Sequence, residues 1–175
     1  MSSPIQLETE RTILRLLTVK DAKDFYDLNL DPEVLRFTGD RAFQSVEEAK
    51  IFLVSYDQYE KYGVGRLAVI DKVSGKFMGW CGIKYSPKSQ EYDIGFRFFK
   101  EFWNQGFATE TANRCLEFGF YDLGLKEIVG RAMVRNVASI KVLEKLGMTF
   151  KNTFDFDGEK GIIYQISKLN YKNTT

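Results

Sequence analysis

Phe98-Phe99-Lys100-Glu101-Phe102-Trp103-Asn104-Gln105-Gly106-Phe107-Ala108-Thr109-Glu110 reads as a strand end, a short loop and the first turn of a helix. Gly106 and Ala108 are the smallest residues of the stretch and sit at the turn. A helix N-terminus leaves its first backbone N–H groups without internal partners and carries partial positive charge. It is therefore a ready anion site wherever a ligand can come close. Small residues permit that approach, and Thr109 adds a hydroxyl. Taken alone, a small-residue helix start is equally a sign of plain close packing.

Downstream, Ala108, Ala112, Cys115, Leu116, Gly119 and Leu123 fall on one stripe of a helix running from Gly106, with Gly124 as a left-handed C-cap. Glu127-to-Val134 is a strand. Asn136 opens a shorter helix that Gly147 closes. Met148-to-Phe156 and Gly161-to-Leu169 are strands joined across Asp157-Gly158, a hairpin signal. Tyr171-to-Thr175 reads as a polar tail. Upstream, Arg66-to-Asp71, Lys76-to-Tyr85 and Glu91-to-Phe99 are separated by short turns and predict an antiparallel meander. Before it lie a strand at Thr12–Leu17, a helix at Val19–Leu30 stopped by Asp31-Pro32, and a helix capped at Ser45 that runs to about Tyr62. The resulting order is β-α-α-β-β-β-α-β-α-β-β. A strand–helix–strand crossover after a meander requires a mixed sheet, so the fold class is α/β.

The 175 residues carry 25 Lys and Arg against 24 Asp and Glu, a net charge of +1. One domain is the expectation at this length. The balance gives no support to nucleic-acid binding. No apolar run approaches the ~20 residues of a membrane span, and the N-terminus lacks a signal-peptide pattern. Cys81 and Cys115 are no disulfide framework and read as buried small hydrophobes, so a cytoplasmic location is expected. There is no histidine, which removes His-based triads, His general bases and the common zinc sites together. Nucleophilic Cys chemistry lacks its usual base for the same reason. A dinucleotide-binding Gly-x-Gly-x-x-Gly is absent, because the loop lacks the first glycine.

Trp103-Asn104-Gln105-Gly106-Phe107-Ala108-Thr109-Glu110 resembles the pyrophosphate loop of the GNAT superfamily of acyl-CoA-dependent N-acyltransferases, closest to its RimJ/RimL-type branch. Gly106 and Ala108 match the pattern. Trp103 stands for the usual Gln or Arg, and Asn104 stands where that branch has Gly; Asn tolerates left-handed backbone better than most residues. Arg135-Asn136-Val137-Ala138-Ser139-Ile140-Lys141-Val142-Leu143-Glu144-Lys145-Leu146-Gly147-Met148 resembles the second cofactor-side motif of the same branch. The element order is also that of the GNAT fold, so the resemblance covers nearly the whole chain.

The resemblance implies acetyl-CoA as co-substrate, no metal, and a primary amine as acceptor, attacked directly in a ternary complex. It implies that Gln105, Gly106, Phe107, Ala108 and Thr109 hold the pyrophosphate, and that the backbone of Phe96 and Phe98 pairs with the pantetheine arm. Asn136 would touch that arm, and Ser139 would lie near the sulfur. By themselves, Asn136 reads as a helix N-cap and Ser139 as an ordinary first-turn serine. Many relatives have a Tyr four residues after Ser139 as general acid, and here that position is Leu143. Ser139 is too weak an acid to replace a Tyr of pKa ~10, so its implied role is a hydrogen bond to the leaving thiolate. Asp93 takes a position where relatives carry a Glu that helps remove the amine's proton through water; it reads equally as a strand-edge carboxylate. Trp80, Tyr85, Tyr92, Phe37 and Phe43 are candidates for an acceptor pocket or for core. The acceptor implied is a protein N-terminal amine, with a small amine such as a polyamine or antibiotic as the alternative and a non-catalytic acyl-CoA-binding module as the rival. Monomer and homodimer are both compatible with the sequence.

Overall fold

The computed structural model describes residues 4–172. Its centre is one eight-stranded sheet in the order β1-β2-β3-β4-β5-β6-β8-β7. The strands are β1 Gln6–Glu8, β2 Thr12–Leu16, β3 Gly65–Asp71, β4 Phe77–Ser86, β5 Glu91–Phe98, β6 Glu127–Met133, β7 Thr149–Phe156 and β8 Glu159–Ser167. Neighbours pair antiparallel except β5 and β6. That parallel pair follows from the helical crossover between them, as the sequence order requires. Asp157 and Gly158, both at positive φ (49° and 89°), make the tight β7–β8 turn.

The helices are α1 Ala22–Leu28, α2 Pro32–Leu35, α3 Val46–Ser55, α4 Gln58–Tyr62, α5 Phe107–Glu117, α6 Val137–Lys145 and α7 Lys168–Lys172. One sheet face buries Leu67, Met78, Cys81, Ile83, Ile94 and Phe98 against α5, α6 and α7. The other buries Ala68 and Phe77 against Phe25, Leu28, Ala49 and Leu53 of α1 and α3. Met78 and Cys81 share a face although they are three apart. The β3–β4 register shifts between Val69 and Ile70, which adds one residue to β4 there. Gly79 sits in that irregularity at φ 147°, and a Cβ on it would lie 2.1 Å from the Arg97 carbonyl. No helix among the described residues is long and apolar enough to cross a membrane.

Several boundaries differ from the sequence expectation, each for a local reason. The first helix starts with a 3₁₀ turn, Val19–Asp21, under a Thr18–Asp21 capping box. Pro32 does more than stop it: Asp31 accepts from the Glu33 N–H and Pro32 begins α2. The helix capped by Ser45 breaks after Ser55, since Tyr56 and Tyr59 turn onto the sheet. Tyr56 Oη accepts from the Arg66 N–H at 2.8 Å and Tyr59 Oη from the Leu17 N–H at 3.1 Å. The helix from Gly106 ends in a π turn, Phe118–Asp122, where Gly119 lets Ile83 and Ile128 close in. β1 is a three-residue strand too short to show periodicity. Tyr171, expected in a polar tail, belongs to α7 and is buried against Phe120; residues 173–175 of that tail lie outside the described residues.

Candidate active site

The site begins where two strands part. β5 and β6 pair only at Asp93–Val129 and Ile94–Gly130, although β5 continues to Phe98 and β6 to Met133. The Phe99 N–H donates to the Met78 carbonyl at 3.0 Å. Alternation in an antiparallel ladder then points the backbone of Arg97 and Gly95 toward β4, and that of Phe98 and Phe96 toward the parted side. One of these groups is occupied. Trp103 Nε1–H turns back and donates to the Phe98 carbonyl at 2.9 Å.

The loop after β5 returns the chain to the mouth of this wedge. Asn104 adopts φ 58° and Gly106 φ 82°, so Asn104 takes the left-handed conformation expected of it. No side chain caps α5, so the N–H groups of its first turn have no side-chain partner, and Gly106, Phe107, Ala108 and Thr109 line the cleft. Arg11 lies beside them. A Cβ on Gly106 would stand 3.5 Å from Arg11 Nη2, and the guanidinium lies 3.9 Å from the Phe107 ring centroid. Glu110 fixes it: Arg11 Nε–H donates to Glu110 Oε2 at 2.7 Å and the Arg11 N–H to Oε1 at 3.1 Å. Burial raises the Glu110 carboxyl pKa, but hydrogen bonds from Thr9 and Arg11 outweigh it and hold the group below its ordinary value.

The opposite wall is the start of α6. Asn136 caps it, accepting from the Ser139 N–H at 3.2 Å. That bond uses Oδ1, and the side-chain N–H₂ has no partner among the described residues. Leu143 is buried against Gly130, where a Cβ would meet its Cδ2 at 2.6 Å. Tyr56 is the phenol that lines the cleft, and burial raises its pKa, which makes it a weaker acid still.

Asp93 sits at the fork. Its Oδ1 accepts from Arg66 Nη2 at 2.7 Å and its Oδ2 from Arg131 Nη1 at 3.3 Å. Arg66 also donates to the Gly82 and Asp93 carbonyls. Arg131 continues to Glu91, and Lys151 reaches both Glu91 and Glu127. Burial raises the Glu91 pKa, but Lys151 and Arg131 outweigh it and hold the carboxyl below its ordinary value. The ladder ties β3, β5, β6 and β7 together at the point of divergence.

These parts enclose a cleft of about 1310 Å³. It brings together Asp93, Phe96, Phe98, Gly106, Phe107, Ala108, Thr109, Asn136 and Ser139. Gln105 stays outside: it is exposed, and its Nε2 donates to the Glu101 carbonyl at 2.7 Å. Of the aromatic candidates, Phe37, Phe43 and Trp80 line the cleft. Tyr85 instead packs at a tilt between Tyr62 and Tyr92, each ring centroid 4.8 Å away. Cys81 and Cys115 are buried with their sulfurs 4.0 Å apart. Arg11, Arg66 and Arg131 were not apparent from sequence, since Arg11 comes from the β1–β2 turn and the other two from β3 and β6, and none carries a spacing signal.

A family profile described as an acetyltransferase (GNAT) domain matches residues 11–149, from Arg11 through both walls of the cleft. The uncharacterized N-acetyltransferase YoaA of Bacillus subtilis (strain 168) is 32% identical over 146 residues, covering 81% of each chain. The uncharacterized protein YkkB of the same organism is 29% identical over 157 residues, covering 87% of this chain and 90% of its own. Among solved structures, a GNAT-family acetyltransferase from Bacillus anthracis superposes with a TM-score of 0.82 at 22% identity, covering 94% of this chain and 99% of that one. A ribosomal-protein-S5-alanine acetyltransferase from Vibrio fischeri gives 0.80 at 19% identity, covering 94% and 97%. At such identities the superpositions speak for the fold. Together with the profile and the relatives, the parted strands and the two helix starts facing them establish that this chain belongs to the GNAT acetyltransferase family.

Proposed function

We propose that the chain acts as a single domain that transfers an acetyl group from acetyl-CoA to the primary amine at a protein N-terminus, by direct attack in a ternary complex. GNAT acetyltransferases use acetyl-CoA as co-substrate. The observation that carries the reading is the parting of β5 from β6 beyond Ile94, with an uncapped helix start at its mouth. An extended amide-bearing arm adds to such an edge as a further strand would. A pyrophosphate suits the N–H groups of Gly106–Thr109 and the neighbouring Arg11. Phe96 offers both backbone groups to that arm, and Phe98 offers its N–H, its carbonyl being held by Trp103. Asn136 offers its side-chain N–H₂. Gln105 contributes through its backbone, since its side-chain N–H₂ is bonded to the Glu101 carbonyl.

The chemistry needs little from side chains. The amine, as free base, attacks the thioester carbonyl carbon; the C–N bond forms and the C–S bond breaks. The amine's second proton leaves to water, and solvent protonates the thiolate. β5 N–H groups on the parted edge stabilise charge on the carbonyl oxygen. The Ser139 hydroxyl donates to the departing sulfur. Asp93 acts by holding Arg66 and Arg131 in place and by orienting water near the amine, because both of its oxygens are already engaged. Holding the reactants in register supplies most of the acceleration.

The acceptor is tested with a short peptide bearing a free N-terminus against the same peptide N-blocked and bearing Lys. The free N-terminus should be acetylated faster. Equal rates, or preference for the Lys peptide, would turn the reading to a small-amine or side-chain acceptor.

A further inference from the structure

The acceptor half of the cleft has an uneven charge. On one face of the sheet, Arg66 of β3, Trp80 and Lys84 of β4, Asp93 and Arg97 of β5, and Arg131 of β6 all line it. The Trp80 ring lies between two guanidiniums, with Arg66 Cζ 5.3 Å and Arg97 Cζ 5.2 Å from its centroid. Arg66 lies flat over Gly95, where a Cβ would stand 2.7 Å from its Cζ. Asp93 is the carboxylate of this floor, and Arg66 and Arg131 occupy both of its oxygens. At the rim, Asp40 is paired with Arg97 at 2.7 Å and Glu33 with Lys100 at 2.5 Å.

Cations and donors are left over. Lys84 stands directly across from Asp93 in the β4–β5 register, yet it forms no ion pair among the described residues, because Asp93 is turned to the two arginines. Arg36, also lining the cleft, packs on Phe37 at 4.9 Å and has no carboxylate partner among the described residues. The Trp80 indole N–H donates to nothing there either. Among the described residues no carboxylate on the floor remains to receive a second ammonium, so a polyamine or a Lys-rich chain would meet charge of its own sign. The same positive surroundings favour the uncharged form of a bound amine, which is the form that attacks, in a chain without histidine.

We propose that the acceptor carries a carboxylate besides its reacting amine, and that this carboxylate is received on the Trp80–Lys84 face of β4. The proposal rests on the acetyl-transfer reading above and names the substrate class of the same cleft. The carboxylate belongs either to a free amino acid or to an acidic side chain close behind a peptide N-terminus.

The test is CoA-thiol release at saturating acetyl-CoA with matched acceptors: an α-amino acid against its amide, a peptide with Glu at its second and third positions against one with Lys there, and a polyamine. In at least one pair the carboxylate member should have a kcat/KM about tenfold higher or more, the effect of a charged over a neutral hydrogen bond. The responding pair distinguishes the two sources. Added salt should shrink the ratio, and Lys84→Gln should bring it toward one, with Lys84→Glu inverting it. Equal kcat/KM within both pairs, or a polyamine as the best acceptor, overturns the proposal while leaving acetyl transfer intact. Acetyl-CoA binding with no thiol release from any acceptor overturns the transfer reading and this one with it.

Discussion

Gly106→Glu isolates the anion site from the fold. At φ 82° the backbone of residue 106 is left-handed, which costs a non-glycine residue about 1–2 kcal/mol. Its side chain meets open space, the nearest atom to a Cβ being Arg11 Nη2 at 3.5 Å. A carboxylate there also sits favourably at the start of α5, which returns roughly 0.3–1 kcal/mol. Stability should therefore fall by about 1 kcal/mol, and the variant should fold. Binding is another matter. A carboxylate held ~5 Å from a pyrophosphate charge at an effective dielectric of ~20 repels it by about 3 kcal/mol, roughly 10²-fold in Kd. Gly106→Ala pays the same backbone strain without the charge and separates the two causes. Calorimetric titration with acetyl-CoA, beside a thermal melt of each variant, reads both quantities. A folded Gly106→Glu protein that binds acetyl-CoA as tightly as the parent would refute the placement of the pyrophosphate at this helix start.

Ser139→Ala should lower kcat about tenfold while changing the KM for acetyl-CoA little, since the hydroxyl's bond strengthens only as the thiolate forms; steady-state kinetics with acetyl-CoA varied reads the split. Asp93→Asn should lower kcat less than Ser139→Ala and should cost about 2–3 kcal/mol in a denaturant melt, because it leaves Arg66 and Arg131 facing a neutral group. The folded-state pKa of Glu110 is depressed, so its bonds contribute stability that is fully present above the ordinary Glu value of ~4.3 and is lost as pH falls through the folded value. Glu110→Gln should flatten that acid limb in melts taken between about pH 3 and 6, and an unchanged limb would show that Arg11 and Glu110 are not coupled in solution.

The sequence carried the fold further than the site. Periodicity and glycine punctuation placed every long strand: β3, β4 and β5 carry buried positions, and the largely exposed β7 is marked by the Asp157-Gly158 turn that follows it. They missed β1, which is three residues long, and the break between α3 and α4, where two tyrosine hydroxyls reach backbone groups on other strands. Nothing local to Tyr56 or Tyr59 records those partners. The same limit applies at the cleft. The placement of Asn136, Gly106 and Ser139 at helix starts was legible because helix starts have a sequence grammar. Arg11 is 99 residues from Glu110, and Arg131 is 38 from Asp93. Such pairs exist only once the sheet has assembled. Asp93 shows the cost most clearly: sequence marks it as a carboxylate near the reacting amine, and the fold surrounds it with guanidiniums that no motif announces.

The most direct measurement is product formation by the purified chain. Incubated with acetyl-CoA and a free-amine peptide, it should release CoA thiol in step with a one-acetyl mass increase at the peptide amine, and neither signal should rise when the amine is blocked. Tight acetyl-CoA binding with no amine-dependent thiol release, across peptide, amino-acid and polyamine acceptors, would contradict the account and leave an acyl-CoA-binding module in its place.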